Sequence, residues 1–270
     1  MSRPRLRVGA VNYLNTKPLV CGLESLAPEV ELIFDFPSRL ADDLAAARLD
    51  VALIPTIEFF RDPTYSVVSD ACIACRGPVL SVKLFCRKPL EDIRTLALDE
   101  GSRTSVALVR ILLKERFGLM PALEGLPVKA SIEDTQADAV LLIGDRAIHS
   151  PPGTFAAVWD LGDQWRRWSG LPFVFAMWTA RAGVDLSDIE PQLSAARDRG
   201  LASLEEIADR EAPPLGLTQP QCLAYLRDNL HFQLGDREQL GLQLFYNRAA
   251  AMELAPTGVH FGFSNPAYSR

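Results

Sequence analysis

The chain has 270 residues, 48% of them hydrophobic and 23% charged, with 28 Lys and Arg against 34 Asp and Glu and a net charge of −6 at neutral pH. That balance suits a globular protein with a sizeable core and excludes a disordered or fibrous chain. It argues against a nucleic-acid or anionic-membrane partner, since both favour a basic face, and leaves room for a small anion held by a few local donors.

In chain order, short apolar runs alternate with helical patterns. Arg5–Val11 reads as a strand, and Pro18–Ser25 as the start of a helix with Thr16 as its cap. Val30–Phe36 is a second strand; Pro37 and Ser38 open a helix through Ala47, with Ser38 as N-cap. Asp50–Pro55 is apolar on both faces, as a buried parallel strand is. Tyr65–Cys75, Leu80–Cys86 and Thr95–Leu98 are further strands. A helix from Ser105 to Phe117 carries Val106, Val109, Leu113 and Phe117 at helical spacing, and Gly118 ends it. Ala137–Ile143 is another buried strand, and Leu171–Thr179 a long apolar extended run. Helices then fill Pro191–Arg199, Ser203–Arg210, Pro220–Leu230 and Arg237–Met252, before a polar, loosely held tail, Gly258–Arg270. This alternation is the signature of an α/β fold. Two crossings of the chain, near Lys83–Pro89 and along Leu171–Thr179, divide it into a discontinuous lobe of residues 1–86 and 176–270 and a second lobe of residues 87–175, with a ligand cleft between them.

No apolar run of signal-peptide length follows the N-terminal arginines, because Asn12, Asn15 and Lys17 interrupt it, and no stretch approaches the ~18 apolar residues of a membrane span. The expected location is the cytoplasm. Five cysteines at irregular spacing do not make a disulfide framework. Cys72 and Cys75 form a CxxC, but in a strand the two thiols diverge. The three histidines are scattered, and no metal-ligand spacing, P-loop, GxGxxG or Ser-His-Asp order is present.

Polar residues cluster where strands stop, which is where open α/β sheets bind ligands. These are Asn15 and Thr16, Thr56, Ser81, the run Ser102, Arg103, Thr104 and Ser105, and Gly144 with Asp145. The run Ser102–Ser105 is the clearest: hydroxyls and free N–H groups at a helix start favour an anion, and Arg103 fits a carboxylate fork. An ordinary cap beside an exposed Arg is the plainer reading. Asn15 also reads as a turn residue, Asp145 as a cap for the next helix, and Ser81 as an outward strand residue. Trp159, Trp165, Trp168 and Trp178 read as ring stackers or, more commonly, as core.

Six segments together resemble one family. Val11–Leu19 (VNYLNTKPL), Asp50–Glu58 (DVALIPTIE), Gly77–Ser81 (GPVLS), Ser102–Ser105 (SRTS), Leu142–Asp145 (LIGD), and Asp160-Leu-Gly with Trp165 and Gly170–Phe175 (GLPFVF) are similar, in order, to the chorismate dehydratases of menaquinone biosynthesis by the futalosine route. The resemblance implies a two-lobed periplasmic-binding-protein-like fold of type II and no cofactor. It further implies conversion of chorismate to 3-[(1-carboxyvinyl)oxy]benzoate, with Asn15 and Ser81 nearest the chemistry and the Ser102–Ser105 segment on a substrate carboxylate. The motifs that match the family's reacting centre hold no His, Asp or Glu, and an Asn amide is a poor base. Asn15 is therefore expected to orient or polarise the substrate, with a carboxylate of chorismate itself as the base and Asp145 as its rival. Lys17 and Arg39 stay outside the expected site. The alternatives are a non-catalytic solute-binding protein for small anions, a transcription-factor effector domain, and the sister enzyme 1,4-dihydroxy-6-naphthoate synthase.

Overall fold

The computed structural model describes residues 5–149 and 151–259. Past Val259 the expected tail, His260 included, lies outside the described residues. Strand β1 (Leu6–Val11) runs into a 3-10 turn, Leu14–Val20, and a short helix α1 (Leu23–Leu26). Then follow β2 (Val30–Asp35), α2 (Pro37–Ala45), β3 (Val51–Pro55), α3 (Thr56–Phe59), β4 (Ser66–Cys75), β5 (Val82–Cys86) and β6 (Thr95–Asp99). The long helix α4 (Arg103–Phe117) leads to β7 (Ala122–Leu126), β8 (Ala139–Ile143), α5 (Asp145–Ile148), β9 (Ala157–Asp160) and α6 (Leu161–Ser169). Strand β10 (Phe173–Ala180) precedes α7 (Ile189–Ala202), α8 (Leu204–Glu211), α9 (Gln219–Ala224), a π-helical turn at Tyr225–Asn229, β11 (His231–Gln233) and α10 (Asp236–Ala251).

The strands form two sheets. One has six strands in the order β11-β4-β10-β3-β1-β2; the other has five, in the order β7-β6-β8-β5-β9. Strand β3, read as a buried parallel strand, is parallel to β1 but antiparallel to β10, which returns from the second sheet into the centre of the first. All five of its residues are buried, so its apolar run is explained by burial on both faces. The strand Val82–Cys86, placed by the sequence before the boundary at residue 86, hydrogen-bonds to β8 and β9 in the five-stranded sheet. The chain therefore leaves the first sheet between Cys75 and Val82 and re-enters it at Phe173. One apolar core runs through both sheets and includes Trp165 and Trp178, while a smaller cluster around Phe85 and Val140 covers the other face of the second sheet.

Two expected caps differ. Helix α2 is capped two residues earlier, with Phe36 at the N-cap and Pro37 in the first turn, where the missing N–H costs nothing; Ser38 is inside the helix. Thr16 caps no helix: it lies inside the 3-10 turn that begins after Tyr13, where its own N–H bonds the Tyr13 carbonyl at 3.1 Å. Helix α4 ends at Phe117 as expected but starts at Arg103, two residues before the expected Ser105, with the Ser102 side chain accepting from the Ser105 N–H and Gly118 closing it at φ 66°. Cys72 and Cys75 are free, buried and directed to different surroundings, and burial raises both thiol pKa values.

Candidate active site

A cavity of about 490 Å³, its mouth included, opens where β1, β3 and β8 end. Val11, Pro55 and Ile143, the last residues of those three strands, form its floor. Phe175 and Ala176 close one wall. Neighbouring strand residues normally face opposite sides, but the register of β10 against β4 shifts between Val174 and Ala176, and a bulge of this kind re-aims side chains.

Five of the expected site residues meet at this cavity: Asn15, Ser81, Ser102, Ser105 and Gly144. Asn15 stands on the 3-10 turn after β1. The first N–H of that turn, at Leu14, is capped from a distance by the Asp145 carboxylate, at 3.0 and 3.3 Å. Asp145 thus caps the turn after β1 rather than its own helix, as the sequence had it, and does not line the cavity. Burial raises its pKa to about 6, against the lowering effects of the Leu14 N–H and Lys17.

Ser81 is presented by a tight turn. Its N–H bonds the Val79 carbonyl at 2.8 Å, and Leu80 between them has φ 61°. This three-residue γ-turn is of the rarer, strained hand, costing about 1–3 kcal/mol for a residue with a side chain. Asp160 holds it: its two carboxylate oxygens accept from the Val79 and Leu80 N–H groups at 2.9 and 2.7 Å, and the same side chain caps α6 through Asp163. The Ser81 hydroxyl itself makes only a 3.5 Å contact to the Val79 carbonyl, and the Asn15 carbonyl only a 3.3 Å contact from Thr16. Both side chains therefore retain hydrogen-bonding capacity for a ligand.

The remaining expected residues are turned elsewhere. Arg103 forks onto Asp42 at 2.9 Å through both terminal nitrogens and reaches Glu58 at 3.2 Å, so its charge is already matched. Thr104 accepts from the Ile57 N–H at 3.1 Å. Thr16 and Thr56 are fully buried, and the Thr56 hydroxyl meets no partner. Lys17 pairs with Glu211 and Arg39 with Asp35, away from the cavity.

Tyr13 was not singled out from the sequence. It lies on the cavity wall, and its ring packs where a Cβ on Gly144 would stand, 2.8 Å away. Gly144 has φ 71° and ψ −158°, a conformation that only glycine takes readily, so this position is fixed twice over. Asp99 was also missed. Buried at the end of β6, it accepts from the Gly101 and Ile143 N–H groups at 2.9 and 3.1 Å and pairs with Arg146, which ties the ends of β6 and β8 to α5. No Asp, Glu, His, Lys or Arg is among the described residues lining the cavity. Among the described residues no three His, Cys, Asp or Glu side chains converge as metal ligands, and no helix is long and apolar enough to cross a membrane.

Two α/β sheets joined by crossing segments, with a pocket at strand ends lined by neutral donors and apolar walls, define a binding-protein-like architecture built for a small molecule. Solved structures agree on the fold. Protein AF1704 from Archaeoglobus fulgidus superposes with a TM-score of 0.74 over 94% of this chain and 100% of that one, at 16% identity. The periplasmic aliphatic sulphonate binding protein SsuA from Escherichia coli gives 0.64 over 96% and 90%, at 17% identity. The fold is periplasmic-binding-protein-like. A family model described as menaquinone biosynthesis matches residues 6–251, and the chain belongs to that family. It is 31% identical to the chorismate dehydratase of Thermus thermophilus, over 92% of this chain and 96% of that protein. It is 24% identical to the chorismate dehydratase of Campylobacter jejuni, over 92% and 99%.

Proposed function

We propose that this protein dehydrates chorismate to 3-[(1-carboxyvinyl)oxy]benzoate. The observation that carries the reading is the cavity's chemistry: neutral hydrogen-bonding groups, Asn15 and Ser81 foremost, set in apolar walls with no carboxylate, imidazole or amine among the described residues that line it. Chorismate is a dianion whose ring needs only to lose one hydrogen as a proton and its hydroxyl as hydroxide, together one water, to become aromatic. No electrons change hands, and aromaticity supplies the driving force. Such a reaction asks for orientation and a dry site more than for a strong protein base. In this reading a carboxylate of the substrate takes the ring proton, and the Asn15 amide and Ser81 hydroxyl hold that carboxylate or the departing hydroxyl. The start of α4, with Ser102 and Ser105 on the cavity wall, binds a second carboxylate through helix N–H groups. Arg103 and Thr104 support this segment from outside.

We further infer that the two sheets act as two lobes closing over the substrate, divided near Gly77–Ser81 and Ser169–Pro172. The five cysteines are free thiols, which suits a reducing cytoplasm, and that location is part of the proposal. The test is direct. Purified protein incubated with chorismate should convert it to a product lighter by one water, read by mass spectrometry. Binding without any loss of water would favour a solute-binding role, and no binding would remove the chorismate reading altogether. The sister naphthoate synthase is disfavoured because both curated relatives above are named dehydratases.

A further inference from the structure

Beside Asn15 and Ser81, and outside the cavity lining, stands a tyrosine from the far end of the chain. Tyr225 is the first residue of the π-helical turn and is only 1% exposed. Its hydroxyl faces the side chains of Ser81 and Asn15, yet no partner meets it at hydrogen-bond geometry. Burial raises its pKa, and the neighbouring Ser81 side chain, then Asn15, offsets part of that rise. The last residue of the same turn, Asn229, donates to the Pro78 carbonyl at 2.9 Å, three residues before Ser81. The π turn thus touches the Ser81 segment at both of its ends. Single π turns of this kind recur at functional sites because they displace one residue from the regular helical ladder.

A buried hydroxyl without a partner costs stability, on the order of 1–3 kcal/mol. A side chain kept in that state beside two polar groups that also lack strong bonds has a use other than stability. We propose that Tyr225 is a positioning residue: its O–H donates to the Asn15 carbonyl oxygen or the Ser81 hydroxyl oxygen once substrate is bound. The Asn15 N–H groups and the Ser81 O–H are thereby directed into the cavity. Before substrate arrives the bond is not made; the ligand draws Asn15 and Ser81 into line and completes it. This rests on the dehydratase reading, since it assigns a role through those two side chains.

The test is Tyr225→Phe, which removes one oxygen and leaves the ring packing intact. Steady-state dehydration of chorismate should show kcat lower by about tenfold, the worth of one well-made hydrogen bond. KM should stay within about twofold, and the thermal midpoint should be equal or higher, because an unpaired polar atom has been removed. A kcat within about twofold of wild type overturns the proposal. So does a fall in thermal midpoint, or loss of folded protein, because either assigns the hydroxyl to structure alone. Wild-type protein is assayed alongside: no turnover there defeats the dehydratase reading and this inference with it, whereas wild-type turnover matched by the Phe variant defeats only the inference.

Discussion

Asn15 and Ser81 reach one cavity from segments far apart in sequence, and each is held by a carboxylate that does not itself face the ligand space. Asp145 caps the turn that carries Asn15, and Asp160 clamps the γ-turn that carries Ser81. If those two side chains hold charge that develops during dehydration, Asn15→Ala and Ser81→Ala should each lower the single-turnover rate by about 10²-fold, the usual effect of losing one such donor. Near-normal rates in both would remove them from the chemistry. Asp145 gives a pH test. Burial raises its pKa from 3.8 to about 6, so the folded protein binds a proton more tightly there than the unfolded chain does. Its contribution to stability is therefore best at low pH, declines as pH rises from about 4 to about 6, and stays at its least favourable above that. In denaturant titrations across that window, Asp145→Asn should lack this decline while keeping an acceptor for Leu14. An unchanged slope in the variant would remove Asp145 as its source. The same variant should keep most of its turnover if Asp145 is a cap, and lose nearly all of it if Asp145 is the base.

Elements set these residues by how closely they pack. Helix α7 lies against the 3-10 turn that bears Asn15, and a methyl group at Gly200 would collide with the Pro18 carbonyl. Gly200→Ala should therefore push helix and turn apart, costing about 1–3 kcal/mol in chemical denaturation and lowering turnover with it. Unchanged stability would mean that the contact relaxes freely. Element packing also decides what the sequence could reveal. Strands β3 and β8 were legible because burial leaves them continuously apolar, and the body and end of α4 because its apolar spacing and closing glycine agree. Strands β7 and β9 were not: they are sheet edges, and four of the five β7 residues are exposed, so no alternation marks them. Helix α6 escaped because its cap, Asp160, also belongs to a strand end. At the site, the polar residues at strand ends were legible as a group, but their division was not. Arg103 reads locally as an anion fork, and only the fold brings Asp42 and Glu58 to neutralise it. Tyr225 reads as one more core aromatic, since nothing near it in sequence points to Ser81.

For the whole molecule, several bonds join the head of α4 to α2 and α3. Arg103 at the head of α4 grips Asp42 of α2 and Glu58 of α3, and Thr104 holds the Ile57 N–H. In the two-lobe reading these form a latch outside the cavity. Arg103→Ala should raise KM for chorismate about twofold to fivefold, the scale of a partly exposed ion pair, with kcat little changed, and should enlarge the ligand-free radius of gyration in solution scattering. High salt should weaken the wild-type latch in the same direction. An unaltered radius and KM would show that the pair closes nothing. The position of β10 has a different consequence, one for biosynthesis. This strand lies between β4 and β3, although more than half the chain is made before it appears. On the ribosome, β3 and β4 emerge early with unpaired edges and must wait, while the stretch from β5 to α6 emerges in one piece and already holds every strand of its sheet. The middle of the chain is thus equipped to fold before the strands made ahead of it can complete their sheet. Arrest-peptide force measurements along the growing chain should register a pull when the five-stranded sheet clears the exit tunnel, and a second only after β10 follows it.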